Sequence, residues 1–122
     1  LRKVSDRIVS IVLNINTKRN NLVLTEKNVI LWGKDRISDT LCGVKFDISP
    51  QSFFQVNPVQ TEKLYSKALE YADIDENTSV MDIYCGIGTI SLCAAKNAKS
   101  VVGVEIVERA IEDAKENAVK TV

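Results

Sequence analysis

Met81-Asp-Ile-Tyr-Cys-Gly-Ile-Gly-Thr89 is the stretch of this 122-residue chain that decides its fold. The apolar run over Ser79–Tyr84 predicts a buried strand, and the small residues over Thr89–Asn97 predict a closely packed helix. The tight turn Gly86–Gly88 joins them. Glycines there let the chain bend sharply and let a ligand approach the main chain without meeting a Cβ atom. The helix N-terminus beyond the turn offers unpaired N–H groups, so this junction is a candidate binding site.

Two acidic residues flank this turn. Asp82 stands four residues before the first glycine, and Glu105 closes a second short apolar strand, Val101–Glu105. A dinucleotide-binding fingerprint would have a third glycine where Ser91 stands. A carboxylate at the end of the second strand can accept both hydroxyls of a ribose, and Asp82 stands where the ammonium end of the ligand would lie. The spacing favours a cofactor pocket over a plain strand-to-helix turn with a solvated Glu105.

The chain on either side of the turn reads as helical. Asn57 and Pro58 predict an N-cap followed by proline at the first helical position, and Gln60 completes a capping-box spacing. The apolar residues of this helix recur at helical spacing at Val59, Leu64, Ala68, Leu69 and Ala72.

A last helix has an apolar stripe on one face, with Glu116 and Lys120 expected to pair on its outer face. The stripe comprises Val107, Ala110, Ile111, Ala114 and Ala118. The order helix–strand–helix–strand–helix over residues 57–122 is the start of a parallel, doubly wound, Rossmann-like sheet. Two strands make a small sheet, so we expect the fold to be cut off in its first half.

Residues 1–56 have strand patterns and no helical period. Strands are predicted over Ile8–Ile15, Leu22–Leu24, Asn28–Trp32, Ile37–Leu41 and Val44–Ile48. The chain is therefore expected to be α/β, with a mainly antiparallel β region at 1–56 followed by the truncated doubly wound sheet at 57–122. Because it starts at Leu1 and stops within a helical pattern at Val122, we expect it to be part of something longer.

Composition narrows the class of protein. Hydrophobic residues make up 45% of the chain, which is enough for a core, and no apolar run reaches the ~18 residues of a membrane span. Three cysteines without CxxC spacing argue against a disulfide framework or a metal site and favour a reduced, cytoplasmic protein. Residues 1–60 carry nine Lys/Arg against five Asp/Glu. The basic residues include Arg2, Lys3, Arg7, Lys18 and Arg19; a solvated surface is favoured there over a phosphate-backbone contact.

Three segments together resemble one enzyme family. Ser49-Pro-Gln-Ser-Phe-Phe-Gln-Val-Asn57, Asp82-Ile-Tyr-Cys-Gly-Ile-Gly-Thr89 and Val101-Val-Gly-Val-Glu105 closely resemble the RNA (uracil-5-)-methyltransferases, which form 5-methyluridine in ribosomal or transfer RNA. Leu31–Gly33 and Ser38–Gly43 also look like the central region of that family. Methyltransferases in general share only the glycine-turn part of the pattern, so the segment ending at Asn57 makes the resemblance specific.

The resemblance implies S-adenosylmethionine (SAM) as cofactor and assigns roles around the turn. Gln55 would contact the methionine end, although without the resemblance a surface amide is favoured. Tyr84 and Thr89 would line the pocket and Glu105 would hold the ribose. Phe53 and Phe54 could stack on a base, but one of two adjacent rings more often lies in the core.

The same resemblance implies that the catalytic residues lie elsewhere. In that family a cysteine thiolate adds to C6 of uracil, C5 takes the methyl group, and a carboxylate base removes the C5 proton. Both residues belong to motifs beyond residue 122, so no catalytic residue is expected in this chain, and Cys85 is interpreted as a packing residue. No iron–sulfur or other metal site is expected, because the cluster cysteines of some relatives would lie before Leu1.

We therefore expect part of a SAM-dependent enzyme that methylates C5 of uridine in RNA, with 23S ribosomal RNA favoured although the residues do not separate it from transfer RNA. The alternatives are a methyltransferase of another substrate class and a non-catalytic module that binds RNA or SAM. As this piece alone, the chain is expected to bind SAM weakly or not at all and to self-associate through its truncated sheet. No membrane association is expected.

Overall fold

The computed structural model describes residues 3, 5–17, 19, 23–25 and 27–121. The sequence predictions that involve Arg2, Lys18 and Leu22 lie outside the described residues. The elements in chain order are β1 (Ser10–Asn14), β2 (Asn28–Gly33), β3 (Ile37–Leu41), β4 (Val44–Ile48), α1 (Pro58–Tyr71), β5 (Ser79–Asp82), α2 (Thr89–Ala94), β6 (Ser100–Gly103) and α3 (Glu108–Thr121).

The first four strands form two antiparallel pairs, β1 with β2 and β3 with β4, which confirms the antiparallel β region. The bounds of β3 and β4 are those predicted from their alternating patterns. A strand at Leu22–Leu24 is wrong for its described residues, since Val23 and Leu24 lie in irregular backbone. There the chain turns back so that Thr25 can bond both Ile15 and Asn14.

The β3–β4 hairpin provides half of the hydrophobic core. Its two-residue turn has Cys42 at φ 51° and Gly43 at φ 70°, the left-handed pair that matches the twist of antiparallel strands. Two side chains hold this turn: Glu62 of α1 accepts from the Cys42 N–H at 2.8 Å, and the ammonium of Lys96, just after α2, donates to the Cys42 carbonyl at 2.7 Å. The hairpin thus packs its inner face on the helices. The core comprises Leu41, Val44, Phe46, Ile48, Tyr65, Ile87, Cys93 and Ala110, so it crosses the predicted boundary at residue 57.

Helix α1 begins where the N-cap pattern predicts, with the Asn57 side chain accepting from the Gln60 N–H at 3.2 Å. The helix predicted from the spacing of its apolar residues is confirmed, but as a set these residues do not mark its buried face. Leu64 is mostly exposed, whereas Thr61 and Tyr65 are buried. These side chains can be buried because their hydroxyls are satisfied: Thr61 donates to the Asn57 carbonyl, and the Tyr65 hydroxyl is bonded to that of Thr89.

Strands β5 and β6 are parallel neighbours, as the doubly wound order predicts. The prediction of a fully buried strand at Ser79–Tyr84 is wrong, since β5 ends at Asp82 and Met81 is exposed. Helix α2 packs on these two strands. Met81 and its register partner Val102 are open to solvent, because no element among the described residues lies over them.

Helix α3 packs against β4 and α2. Ala110 is buried as predicted, but Asp113 and Asn117, both fully buried, were not expected on that face. The predicted Glu116–Lys120 pair is wrong: Glu116 pairs with Arg36, and Lys120 pairs with Asp47 at 2.7 Å. Glu116 and Lys120 thus each pair with a residue of the β region instead of with each other, and α3 is held to the β3–β4 hairpin. Over the described part of the chain, no helix has the length and apolar character needed to cross a bilayer.

Candidate cofactor site

The candidate site is the loop that runs from the end of β5 at Asp82 to the start of α2 at Thr89. Gly86 and Gly88 both have left-handed backbone, at φ 53° and 85°, where a side chain is strained. A Cβ atom built on Gly86 would meet nothing within 4 Å, so open space lies directly before the loop. A Cβ on Gly88 would instead face Leu92 and Ala114. The loop therefore has an open side at Gly86 and a packed side at Gly88.

Glu105 closes the site from the end of β6. Its Oε1 accepts the N–H groups of Ile106 and Val107 at 2.8 and 2.9 Å, which fixes the carboxylate against its own chain. Its Oε2 accepts the Gly86 N–H at 3.2 Å, which joins the glycine loop to β6. A carboxylate has about four lone-pair sites, so Oε2 retains one that can accept a ligand hydroxyl.

Asp82 stands at the start of the loop, at the end of β5, and both of its oxygens have a donor. Oδ2 accepts from the Ser91 hydroxyl at 2.6 Å, and Oδ1 lies 3.3 Å from the Tyr84 N–H. Ser91 stands where a dinucleotide fingerprint has its third glycine, and its role in orienting Asp82 explains a hydroxyl there. Asp82 and Glu105 thus present two oriented carboxylates on one glycine turn.

Thr89 and Tyr84 differ in how the structure places them. The Thr89 hydroxyl lies 2.9 Å from the hydroxyl of Tyr65, which joins α1 to the start of α2. Tyr65 was not predicted from the sequence as a site residue. The only signal that could have indicated it is its position one turn beyond Thr61 on the same helix. The Tyr84 side chain is 85% exposed beside the loop, so it is free to contact a ligand.

Gln55 is the one predicted site residue that the structure does not join to the others. It is half-buried between β4 and α1, two residues before the helix cap Asn57. No hydrogen bond of the Gln55 amide is found within the described part of the chain. Its position relative to the loop depends on α1, which Tyr65 ties to Thr89. Phe54 packs near Phe46, with ring centroids 6.1 Å apart, while Phe53 is mostly exposed, so one ring of the pair lies in the core as expected.

Two of the cysteines, Cys85 and Cys93, are buried and unsuited to nucleophilic chemistry. Cys85 is buried, and its Sγ would lie 2.9 Å from a Cβ built on Gly103, so the sulfur fills the space against β6. Burial raises the pKa of the Cys85 thiol, and the charges of Asp82 and Glu105 raise it further. Burial also raises the pKa of Cys93 to about 12. A thiolate is the reactive form, so these thiols are packing residues.

The Glu105 carboxylate makes the stability of the chain depend on pH. Hydrogen bonds from the N–H groups of Val107, Ile106 and Gly86 hold the pKa of this carboxylate below its ordinary value. A lowered pKa contributes stability that is present above the ordinary value and is lost as pH falls through the lowered one. We expect the urea midpoint of the wild type to exceed that of Glu105→Gln at neutral pH and the gap to close as pH falls below the ordinary glutamate pKa of about 4.3. A gap of the same size at the lowest pH would contradict this assignment.

The chemical capacity of the site follows from this geometry. It offers two carboxylates, a main chain without side chains at its open point, and an exposed aromatic ring at Tyr84. Such a set can hold a ligand with hydroxyl groups at one end and a positive charge at the other.

Sequence comparison identifies the domain type. A family described as "Methyltransferase domain" matches residues 74–121, which include the glycine loop and Glu105. A Clostridium tetani protein named "uncharacterized RNA methyltransferase" is 57% identical over 111 residues, which is 91% of this chain and 24% of that protein. A similarly named protein of Halalkalibacterium halodurans is 52% identical over 118 residues, covering 97% of this chain and 26% of its own length.

Solved structures agree with this. The Pyrococcus abyssi tRNA (uracil-54, C5)-methyltransferase, in complex with S-adenosyl-L-homocysteine, superposes with a TM-score of 0.73 at 33% identity, over 91% of this chain and 27% of that one. Wild-type Trm5b from Pyrococcus abyssi superposes with a TM-score of 0.70 at 17% identity, over 97% of this chain and 35% of that one, which shows the fold alone. These likenesses confirm the predicted α/β class, a β region followed by the start of a Rossmann-like methyltransferase sheet. The chain is thus similar to RNA methyltransferases over most of its own length, and it spans about a quarter of the length of the relatives it matches.

Proposed function

We propose that SAM binds across the loop from Asp82 to Thr89, with its ribose on Glu105. The observation that carries the proposal is the Glu105 carboxylate, which the main chain fixes through Ile106 and Val107 while Oε2 keeps a free acceptor site. The Pyrococcus relative at 33% identity was solved with S-adenosyl-L-homocysteine, the demethylated form of the same cofactor, and this supports the choice of ligand.

The residues present fit that cofactor. The open space before Gly86 is a cradle that a Cβ would enter, which suits close approach of a ligand to the main chain. We assign Asp82 to the ammonium group and Tyr84 and Thr89 to the lining of the pocket. We place Gln55 at the methionine end. When bound, SAM supplies an electrophilic methyl group on a sulfonium; the described residues hold and orient it, and Gly88 keeps the loop packed on α2 and α3.

The reaction we propose for the whole protein is methylation of C5 of uridine in RNA, in the cytoplasm, with 23S ribosomal RNA as the substrate put forward. Support comes from the RNA methyltransferase names of the relatives and from the tRNA (uracil-54, C5)-methyltransferase among the solved structures. We place the RNA on the side of residues 1–56 and the cofactor on that of residues 57–122. The nucleophilic cysteine and the base are assigned to parts of the protein outside this chain, in keeping with the buried Cys85.

Mass spectrometry of modified nucleosides tests the reaction. The full-length protein is incubated with SAM carrying a deuterated methyl group and with unmodified 23S ribosomal or transfer RNA, and each RNA is digested to nucleosides. We expect labelled 5-methyluridine in the digest of the ribosomal RNA. Label in transfer RNA alone would correct the substrate, and label in another nucleoside would overturn the C5 assignment. SAM binding with no label in either RNA would favour a binding module or another substrate class.

A further inference from the structure

Asn117 is a fully buried polar residue on α3 that contacts two distant parts of the chain. Its Oδ1 accepts the Asp47 N–H at 2.8 Å, and its Nδ2 donates to the Asp47 carbonyl at 3.2 Å. The same Nδ2 lies 3.4 Å from the carbonyl of Ile87. The side chain thus pairs with an outward-facing residue of β4 as a neighbouring strand would, and it has a donor left over for the glycine loop.

The contact with Ile87 falls at the centre of that loop, between Gly86 and Gly88. The N–H of the same peptide, that of Gly88, donates to the Cys85 carbonyl at 2.8 Å. The peptide plane between Ile87 and Gly88 is therefore held at both ends, by Cys85 and by Asn117. The Ile87 side chain is buried in the core, so both the side chain and the peptide group of this loop residue are held in place. Glycines flank this peptide, and without such ties they would let it rotate.

We infer that Asn117 is a positioning residue of the cofactor site, acting through Ile87 to hold the glycine loop in the shape that meets SAM. This inference rests on the proposed function. Asn117 itself touches β4 and the inner side of the loop, so its role is indirect. Because a preorganised loop does not have to be ordered when the ligand binds, loss of this tie weakens binding even where the fold persists.

The same helix ties the other side of the proposed pocket. Asp113 lies one turn before Asn117, is fully buried, and accepts from the Ser52 hydroxyl at 2.6 Å. Ser52 closes the turn that starts at Ser49 and leads into the segment carrying Gln55. Residues on one face of α3 thus hold both sides of the proposed pocket. This explains why that face carries polar residues where sequence patterning predicts apolar ones.

Calorimetry on the full-length protein with SAM and with S-adenosyl-L-homocysteine tests the inference. Asn117→Leu keeps the branched shape and the number of heavy atoms of the side chain and removes its hydrogen bonds. We expect its Kd for both ligands to rise about tenfold with the binding stoichiometry unchanged. A residue that only supports the fold would lower the fraction of competent protein, and hence the stoichiometry, while leaving Kd as it was.

Ala110→Gly is the matched control, because it weakens the same helix at a buried position without removing either tie. We expect it to lower the melting temperature while Kd stays within about twofold of wild type. Should Asn117→Leu fail to fold, Asn117→Ser, which is smaller and keeps a hydroxyl, is expected to show the same rise in Kd. A Kd for the position-117 variants equal to that of Ala110→Gly overturns the inference. A wild-type protein that binds neither ligand overturns the proposed function, and the inference with it.

Discussion

Glu105→Gln is expected to weaken SAM binding by the full-length protein by about a hundredfold. In the wild type, Oε1 is occupied by the N–H groups of Ile106 and Val107, and the free acceptor site is on Oε2. The glutamine oxygen can keep the two bonds from Ile106 and Val107. Its NH₂ group then replaces Oε2, where it faces the Gly86 N–H donor and a ribose hydroxyl that has lost its charged acceptor. A hydrogen bond to a charged group contributes about 1.5–3 kcal/mol, which is one to two powers of ten in Kd.

Glu108→Gln is the matched control for this experiment. Glu108 begins α3, three residues after Glu105, and is exposed. The Glu108→Gln substitution removes the same charge from the same part of the surface without touching the glycine loop. Calorimetric Kd values for the two variants and the wild type separate a contact from a general effect of charge. Equal losses for both variants, or none for Glu105→Gln, would remove Glu105 from the proposed pocket.

The strands and the start of α1 could be predicted because their signals are local. The alternation in Val44–Ile48 marks one face of β4 as buried, and the core holds Val44, Phe46 and Ile48 as that pattern requires. The cap at Asn57 depends on residues three apart in sequence. Asp82 is likewise local to the glycine turn, whereas Glu105 follows the next strand, so its grouping with the turn follows from the order of parallel strands.

The buried polar residues could not be predicted, because their partners are remote in sequence. Asp113 is bonded to Ser52, sixty-one residues away, and Asn117 to Asp47, seventy residues away. In an amphipathic pattern such side chains are placed on the solvent face, since nothing local would satisfy them. Tyr65 escaped prediction for the same reason, since its hydroxyl partner Thr89 lies on another helix.

The exposure of β5 had a different cause. An apolar run predicts a strand covered on both faces, and the run at Ser79–Tyr84 has that composition. Within the described residues β5 has β6 as its neighbour and α2 on one face, so Met81 remains open. The apolar pattern indicates that both faces of the strand need to be covered, but it does not indicate which element covers them. The self-association expected from this open sheet stays a prediction.

Asp113→Asn is expected to destabilise the chain by about 3 kcal/mol. Asp113 is fully buried, and its Oδ1 lies 3.2 Å from Nη1 of Arg36 and 3.3 Å from Nη2 of Arg109. These contacts are ionic, because Oδ1 has no hydrogen bond within the described part of the chain. Asparagine keeps the shape but leaves two guanidinium groups without their shared carboxylate. Breaking a buried ion pair on one side costs about 3–5 kcal/mol, and the lower end applies because Arg109 is partly exposed and can regain water.

Urea unfolding measures this loss, and Glu112→Gln is its control. Glu112 is adjacent on α3 and pairs with the same Arg109 at 2.8 Å, but both side chains are substantially exposed. An exposed pair contributes about 0–1 kcal/mol, so the control midpoint should move little while that of Asp113→Asn falls by about 1–3 M. Since small proteins are stable by about 5–15 kcal/mol, the expected loss is a large part of the total. Equal shifts for the two variants would mean that Asp113 is no more than another surface charge, and that the polar face of α3 does not hold the β region to the cofactor half.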